Sequence, residues 1–446
     1  MQSQDDFLDK LKARDPDQPN FLQAVREVTS SLWPWLERHP EYADQALLER
    51  LVEPERVITF RVPWIDDQNQ VQVNRGIRVQ MNSAIGPYKG GLRFHPGVSL
   101  DVLKFMAFEQ TIKNSLTSLP MGGGKGGADF DPHGKSDGEV MRFCQAFMAE
   151  LQKYIRSSWD IPAGDIGVND REIGFLFGTY KKLAGEFSAA LTGKAASYGG
   201  SLIRPQATGY GLIYFVEEIL NTHGRDLEGQ RVVISGAGTV ALYAAWKAIC
   251  SGAKVLSVSD SQGVLVCRDG MTKEQWQAVH DEKQSRRGQL ANLSDLDGAA
   301  YHQGKQPWYL HADIALPCAI QNELDEKAAK KLVENGCRLV AEGANMPSTA
   351  EAIQVFRQAG VTFAPGKAAN AGGVAVSGLE ITQNALRTSW TEQEVDSRLH
   401  DIMKRIHQSC VRYGCQDEEG KVDYINGANI AGFVKVADAM LAQGVV

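Results

Sequence analysis

The sequence predicts an α/β protein in two parts, a mixed part of hairpin strands and helices followed by a doubly wound parallel sheet. Three observations carry this. An alternating segment over residues 57–81 is flanked by helical spacing on both sides. From about residue 201 short apolar strands alternate with helical segments. The 44 glycines are gathered in tight groups such as Gly122-Gly123-Gly124 and not in a repeat. The 446 residues suffice for two or three domains at roughly 100–200 residues each. At 43% hydrophobic and 23% charged residues, the chain has the composition of a globular protein.

In residues 1–56, Phe21, Ala24, Val25, Val28 and Leu32 follow a helical period, and the polar start predicts an exposed N-terminal arm. Ile58, Phe60 and Val62 alternate, as do Val71 and Val73, with Asp66-Asp67-Gln68-Asn69 as the turn. A helix is predicted over 103–116. A second is opened by the capping box Ser136-Asp137-Gly138-Glu139, and a third begins after Asp170. These elements predict an α+β or mixed-sheet domain over 1–200. Strands at 231–235, 254–259, 312–316, 338–341 and 361–363, each followed by a helix, predict the doubly wound domain over 201–420. The segment 421–446, helical from Gly427, is expected to pack back on the first domain.

Charge and composition exclude several classes. With 47 basic and 54 acidic residues the net charge is -7, unfit for neutralising nucleic-acid phosphates. The first ten residues hold two adjacent acids and no apolar core of a signal peptide. The most apolar stretch, 232–250, contains Gly236, Gly238 and Lys247 and reads as strand, turn and helix, so no membrane span is expected. Seven scattered cysteines without a CxxC predict free thiols in a cytoplasmic protein and no metal site.

Val232-Val233-Ile234-Ser235 runs into Gly236-Ala237-Gly238-Thr239-Val240-Ala241 and then a helix. This is a Rossmann-type dinucleotide fingerprint in its required context. Gly236 makes the tight turn, and Gly238 lets backbone approach a pyrophosphate. The small residue at Ala241 packs helix on strand, and the helix N-terminus supplies partial positive charge. Asp260 ends the next strand and reads as a ribose 2′-OH ligand, hence NAD. Ser259 and Ser261, with Lys283, Arg286 and Arg287, read equally as a 2′-phosphate site, hence NADP. The residues alone leave both open, and a solvated charged helix is the plainer account of the three cations.

The first part carries the chemistry. Lys89 stands in Gly86-Pro87-Tyr88-Lys89-Gly90-Gly91, and Gln110 and Lys113 share one helix face. Lys125 lies between Gly124 and Gly126 in a segment that lacks the Ser/Thr and spacing of a phosphate loop. Its glycines are expected to clear room for a ligand. Asp165 follows Gly164 and is either a helix cap or a general acid/base, with Asp170 the better cap. Together these residues suit a small dianion held by cations beside a nicotinamide, with Lys125 and Asp165 moving protons at the carbon that exchanges hydride. Burial among like charges should lower the lysine's pKa from about 10.4.

These motifs, with 341–347 (AEGANMP) and 365–375 (PGKAANAGGVA), resemble glutamate dehydrogenases over essentially the whole chain. The small, homohexameric, NADP-dependent subclass is most similar. The resemblance implies an oxidoreductase that converts 2-oxoglutarate, ammonium and NADPH reversibly to L-glutamate, NADP⁺ and water. It implies that Lys125 activates water and stabilises the carbinolamine, and that Asp165 carries protons for ammonia and the iminium. Gln110 and Lys113 would hold the α-carboxylate, and Lys89 with Ser377 the γ-carboxylate, with Gly90 and Gly164 beside them. Thr208, Gly236, Gly238, Thr239, Val240, Asp260, Ser261 and Asn345 would line the cofactor, and Lys283 and Arg286 incline the choice to NADP. The resemblance also implies that the α/β part over 1–200 is the substrate and oligomerisation domain, and that catalysis sits in an interdomain cleft closed by hinge motion. Ala237, Thr239 and Val376 depart from the family pattern without removing a charge. Alternatives are an NAD-preferring enzyme, a dehydrogenase for apolar amino acids, and an inactive nucleotide-sensing scaffold. Lys89 and Ser377 argue against the second, and intact Lys125 and Asp165 against the third.

Overall fold

Helical spacing and alternation in the first 200 residues become a five-stranded sheet with helices packed on it. The computed structural model describes residues 3–43, 45–415 and 421–446. It divides into two units: residues 1–202, 376–395 and 429–446 form one, and 203–375 with 396–428 the other.

The first unit opens with α1 (Gln4–Arg14), α2 (Pro19–Leu36) and α3 (Leu47–Val52). Phe21, Ala24, Val25, Val28 and Leu32 are all buried on α2. The N-terminal arm is not loose: Phe7, Leu8 and Leu11 form an apolar stripe among the charges of α1, and Phe7 packs 6.0 Å from Trp33. β1 (Arg56–Ile65) and β2 (Val71–Asn82) form a hairpin, whose Asp66 carboxylate accepts from the N–H groups of Gln68 and Gln70. Then come β3 (Tyr88–Phe94), α4 (Leu100–Leu116), β4 (Gly123–Ala128), α5 (Asp137–Leu151), β5 (Asp160–Gly164) and α6 (Asp170–Ala184). Ser136 and Glu139 make the expected capping box on α5. The cap of α6 is Asn169, one residue before the Asp170 expected there, and its N–H donates to Glu172 at 2.9 Å. The sheet order is β1-β2-β4-β3-β5. β2 is antiparallel to β1 and β4, while β3 is parallel to β4 and β5. An aromatic core supports it, with Phe130 stacked on Phe143 at 3.8 Å.

The second unit holds α7 (Ala207–Thr222), β6 (Arg231–Ile234), α8 (Thr239–Cys250), β7 (Lys254–Asp260), β8 (Gly263–Val266), α9 (Lys273–His280) and β9 (Ala300–Gln303). It continues with β10 (Ile314–Leu316), α10 (Glu326–Glu334), β11 (Leu339–Ala341), α11 (Ala350–Gln358), β12 (Thr362–Ala364) and α12 (Gly366–Ala369). The order is β12-β11-β10-β6-β7-β8-β9. β12 through β7 run parallel, as expected for a doubly wound sheet. Strand and helix do not alternate strictly: β8 and β9 add an antiparallel edge, entered by a turn at Ser261-Gln262. That four-residue strand is too short to announce its direction in sequence.

Three helices, α13 (Gly372–Leu386), α14 (Glu392–Gly414) and α15 (Tyr424–Gln443), contribute residues to both units. The sequence reading assigned 376–395 to the nucleotide part, yet these residues cluster with the first unit. There Gly378 packs so tightly that a Cβ would lie 2.6 Å from the Leu119 side chain. Among the described residues no helix is long and apolar enough to cross a membrane.

Candidate active site

β4 carries one long side chain, Lys125, among glycines and an alanine, and the surrounding glycines have a packing explanation. A Cβ on Gly123 would sit 1.8 Å from the Thr111 hydroxyl, so α4 rests directly on the strand. Cβ atoms on Gly124 and Gly126 would lie 3.3 and 3.0 Å from atoms of the Arg78 side chain. The space expected for a ligand is thus filled by α4 and by a buried guanidinium. Arg78 donates to Gly90 O at 3.0 Å and from Nε to Asp160 Oδ2 at 3.0 Å, and Gln80 donates to the same oxygen at 2.9 Å.

Lys125 Nζ lies 3.1 Å from Asp165 Oδ2, and Arg93 Nε donates to that same oxygen at 2.8 Å. Asp165 directly follows β5 on a turn closed by Val168 N–H to Asp165 O at 2.8 Å. Gly164 has no room for a Cβ there, because Val168 O would be 2.5 Å away. Gly167 holds φ +74° with Phe94 O where a Cβ would fall, which ties the turn to β3. The carboxylate is therefore placed by backbone on two sides. Burial pulls the Lys125 amine below its ordinary range; Arg93 and Arg78 push the same way, and Asp165 opposes them. Burial alone would raise Asp165, but Lys125 and Arg93 outweigh it and hold its carboxyl below the usual carboxylate range.

Lys89 is 1% exposed, and its Nζ donates to the Thr192 hydroxyl at 2.8 Å. Thr192 and Ser377, both buried, share a 2.5 Å hydroxyl–hydroxyl hydrogen bond. On α4, Gln110 donates to Asn114 Oδ1 at 2.6 Å, and Asn114 donates to Lys89 O at 3.0 Å. Lys113 stands half-buried one turn from Gln110. A Cβ on Gly90 would lie 1.7 Å from Gly124 O and 3.4 Å from Gln110 Cγ, so β3, β4 and α4 converge here. Lys89, Gly90, Gln110, Lys125, Gly164, Asp165 and Ser377 are thereby built into one unit. Sequence reasoning missed Thr192, Arg93 and Asn114. Arg93 was visible inside the Gly-Leu-Arg-Phe motif, whereas nothing local marked Thr192.

In the second unit Gly236 takes φ +84° at the end of β6, and Gly238 is the N-cap of α8. Nothing lies within 4 Å of a Cβ built on Gly238, which leaves that backbone open at the positive end of a twelve-residue helix. Thr239 is exposed and Val240 half-buried. Ser259 is buried and accepts from Gly236 N at 3.0 Å, so it braces the turn and does not face a phosphate. Asp260 faces inward: its oxygens accept from Gln262 N at 3.0 Å and Leu290 N at 2.9 Å, and Lys283 lies 3.3 Å away. Burial raises this carboxyl, but those N–H groups and Lys283 outweigh it and keep it ionised. Lys283 also donates to Gly288 O at 2.8 Å, while exposed Ser261 and Arg286 stand nearby in sequence, Arg286 pairing with Glu282 at 3.3 Å. Asn345 accepts from Asn370 at 3.0 Å. Thr208 on α7 approaches Gly373, where a Cβ would lie 2.5 Å from its hydroxyl.

One unit with a mixed sheet and a lysine–aspartate pair, and another with a dinucleotide-type sheet, are the two parts of an amino-acid dehydrogenase. Residues 199–444 match the family described as Glutamate/Leucine/Phenylalanine/Valine dehydrogenase, and 54–182 match its dimerisation domain. The chain belongs to this family. It is 60% identical over 444 residues to the NADP-specific glutamate dehydrogenase of Escherichia coli strain K12, covering 100% of this chain and 99% of that one. It is 57% identical to the NADP-specific glutamate dehydrogenase of Haemophilus influenzae, covering 99% of both. The crystal structure of Plasmodium falciparum glutamate dehydrogenase superposes with a TM-score of 0.97 at 48% identity, covering 99% of this chain and 94% of that one.

Proposed function

We propose that this chain is an NADP-dependent glutamate dehydrogenase, reversibly aminating 2-oxoglutarate with ammonium to give L-glutamate. The observation that carries the substrate assignment is Lys89, a buried cation bonded to two buried hydroxyls through Thr192. A second carboxylate on the substrate suits a buried cation with hydroxyls beside it, and an apolar side chain offers it no hydrogen bond. Relatives named as NADP-specific glutamate dehydrogenases support the same reading.

Gln110 and Lys113 take the carboxylate next to the reacting carbon, and Lys89 with Ser377 the far one. Asp165, an ionised base at rest, accepts a proton from ammonium and frees the ammonia that attacks the carbonyl carbon. Lys125 stabilises the resulting carbinolamine and hands a proton to its hydroxyl, which leaves as water and gives the iminium. NADPH, when bound, supplies the hydride that reduces this carbon. In reverse, neutral Lys125 draws a proton from the attacking water.

The second unit fits this cofactor. Gly238 offers open backbone to a pyrophosphate at the start of α8, with Gly236, Thr239 and Val240 around it. Asp260 is already satisfied by two N–H groups and Lys283, so its charge is compensated and does not repel a 2′-phosphate. Lys283 and Arg286, with Ser261, would hold that phosphate. Thr208 and Asn345 would flank the nicotinamide.

The same proposal includes a homohexamer and a cytoplasmic location. β1 is the edge of its sheet, and the hairpin exposes Ile65 at 45%, Val71 at 70% and Val73 at 61%, apolar surface suited to a second copy. Among the described residues no cysteine is joined in a disulfide, which suits a reducing compartment. The test is an absorbance assay of NADPH and NADH consumption with 2-oxoglutarate and apolar oxo acids, plus light scattering for mass. Lys125→Ala and Asp165→Asn should each lose ~10²–10⁴-fold in turnover while still binding NADPH. Near-wild-type turnover in either would remove that residue from the mechanism.

A further inference from the structure

Lys194 and Glu380 form an ion pair with no solvent exposure, Nζ to Oε1 at 2.8 Å. Taking both charges out of water offsets most of their attraction, so such a pair is a weak source of stability. Its surroundings suggest a geometric task. Glu380 Oε1 also accepts from Lys194 N at 3.3 Å, and Oε2 accepts from Gly193 N at 2.9 Å. Lys194 Nζ donates to Leu191 O at 2.5 Å and lies 5.4 Å from the centre of the Phe177 ring. One carboxylate thus gathers the segment 191–194. From the other side Thr192 N–H donates to Pro162 O on β5 at 3.0 Å.

Thr192, held between these anchors, offers its hydroxyl to Lys89 and Ser377. Ser377 and Glu380 are three residues apart on α13 and so share a face. The same helix therefore carries one hydroxyl of the pair and the carboxylate that fixes the other. We propose that Lys194 and Glu380 are positioning residues for far-carboxylate recognition. They set Thr192 and Ser377 over the Lys89 ammonium, and through them the preference for oxo diacids over apolar oxo acids. Neither touches substrate, and the inference rests on Lys89 holding the far carboxylate.

Glu380→Gln keeps the shape and removes the charge. In steady-state assays of the full chain its KM for 2-oxoglutarate should rise roughly tenfold or more, the scale of one charged hydrogen bond. The preference for 2-oxoglutarate over 2-oxohexanoate should fall by a similar factor. The kcat and the KM for NADPH should stay within about twofold, the scale of a site that is not touched. The double variant Lys194→Met, Glu380→Met removes both charges together, so neither is left buried alone, and it should still lose diacid preference. Retained preference in the double variant, or a uniform loss across kcat and every KM in Glu380→Gln, would overturn the proposal. Lys89→Leu is the control. If it loses diacid preference and the pair variants keep it, only the role of the pair fails. If Lys89→Leu itself keeps the preference, the reading beneath it fails too.

Discussion

Arg78 on β2 crosses two strands to reach Asp160 on β5, donating from Nε to Oδ2 at 3.0 Å with both side chains sealed from solvent. The Arg78 side chain passes the faces of Gly124 and Gly126, so the glycines around Lys125 and the buried ion pair are one arrangement. Arg78→Met would take the cation from the buried Asp160 carboxylate and leave it the Gln80 amide, at a cost of ~3–5 kcal/mol. Pairing it with Asp160→Asn should recover much of that loss. Urea unfolding of the three proteins checks this; an unchanged midpoint for Arg78→Met would contradict the buried-pair account.

Arg93 and Lys125 share Asp165 Oδ2. The Arg93 cation depresses both Lys125 and Asp165, so Arg93→Gln should raise both. Glutamate oxidation needs neutral Lys125, and its rate therefore climbs with pH through the pKa of that amine. In Arg93→Gln the climb should move to higher pH, by ~1 unit. A pH–rate profile that superposes on wild type would show that Arg93 does not tune the pair.

Substrate choice should turn on Lys89. An apolar oxo acid forgoes the charged pair that the diacid's far carboxylate makes with this buried cation, a loss of ~3–5 kcal/mol, which is a discrimination of ~10²-fold or more. Lys89→Leu with Ser377→Val should collapse activity on 2-oxoglutarate and raise relative activity on 2-oxohexanoate. Competition assays with the two acids measure the switch, and a variant still preferring the diacid would mean that its far end is held elsewhere.

Cofactor choice should turn on Lys283 and Arg286. Each charged hydrogen bond to a phosphate contributes ~1.5–3 kcal/mol. The double change to Glu should raise the NADPH KM by orders of magnitude and the NADH KM far less. Equal loss of both cofactors would mean that the pair serves the loop that Lys283 also closes through Gly288.

Glu342 is a buried carboxyl that accepts from Gly366 N at 2.7 Å and Ser348 N at 3.2 Å. Burial pushes it from its ordinary 4.5 up to about 7. The folded protein thus holds this proton more tightly than the unfolded chain does. Stability contributed by the protonated form is complete below pH 4.5 and is lost as pH rises to about 7, about 3 kcal/mol in all. Glu342→Gln should remove that slope. Melting temperatures between pH 5 and 8 check it, and parallel curves for the two proteins would refute it.

The sequence by itself determined which face of α2 is buried, the capping box of α5 and the glycine turn after β6. Each is a local property, read from a period, a cap or a turn that needs no distant partner. Tertiary structure decided the rest. Thr192 is an ordinary loop threonine until the chain brings Lys89 and Ser377 to its hydroxyl, across 103 and 185 residues. Arg78 and Asp160, 82 residues apart, carry no mark of pairing, because opposite charges pair by distance in space. Val71 and Val73 alternate as a half-buried strand would, yet both face outward. A period records that one side of an element is apolar; only the packing of other elements decides what covers it.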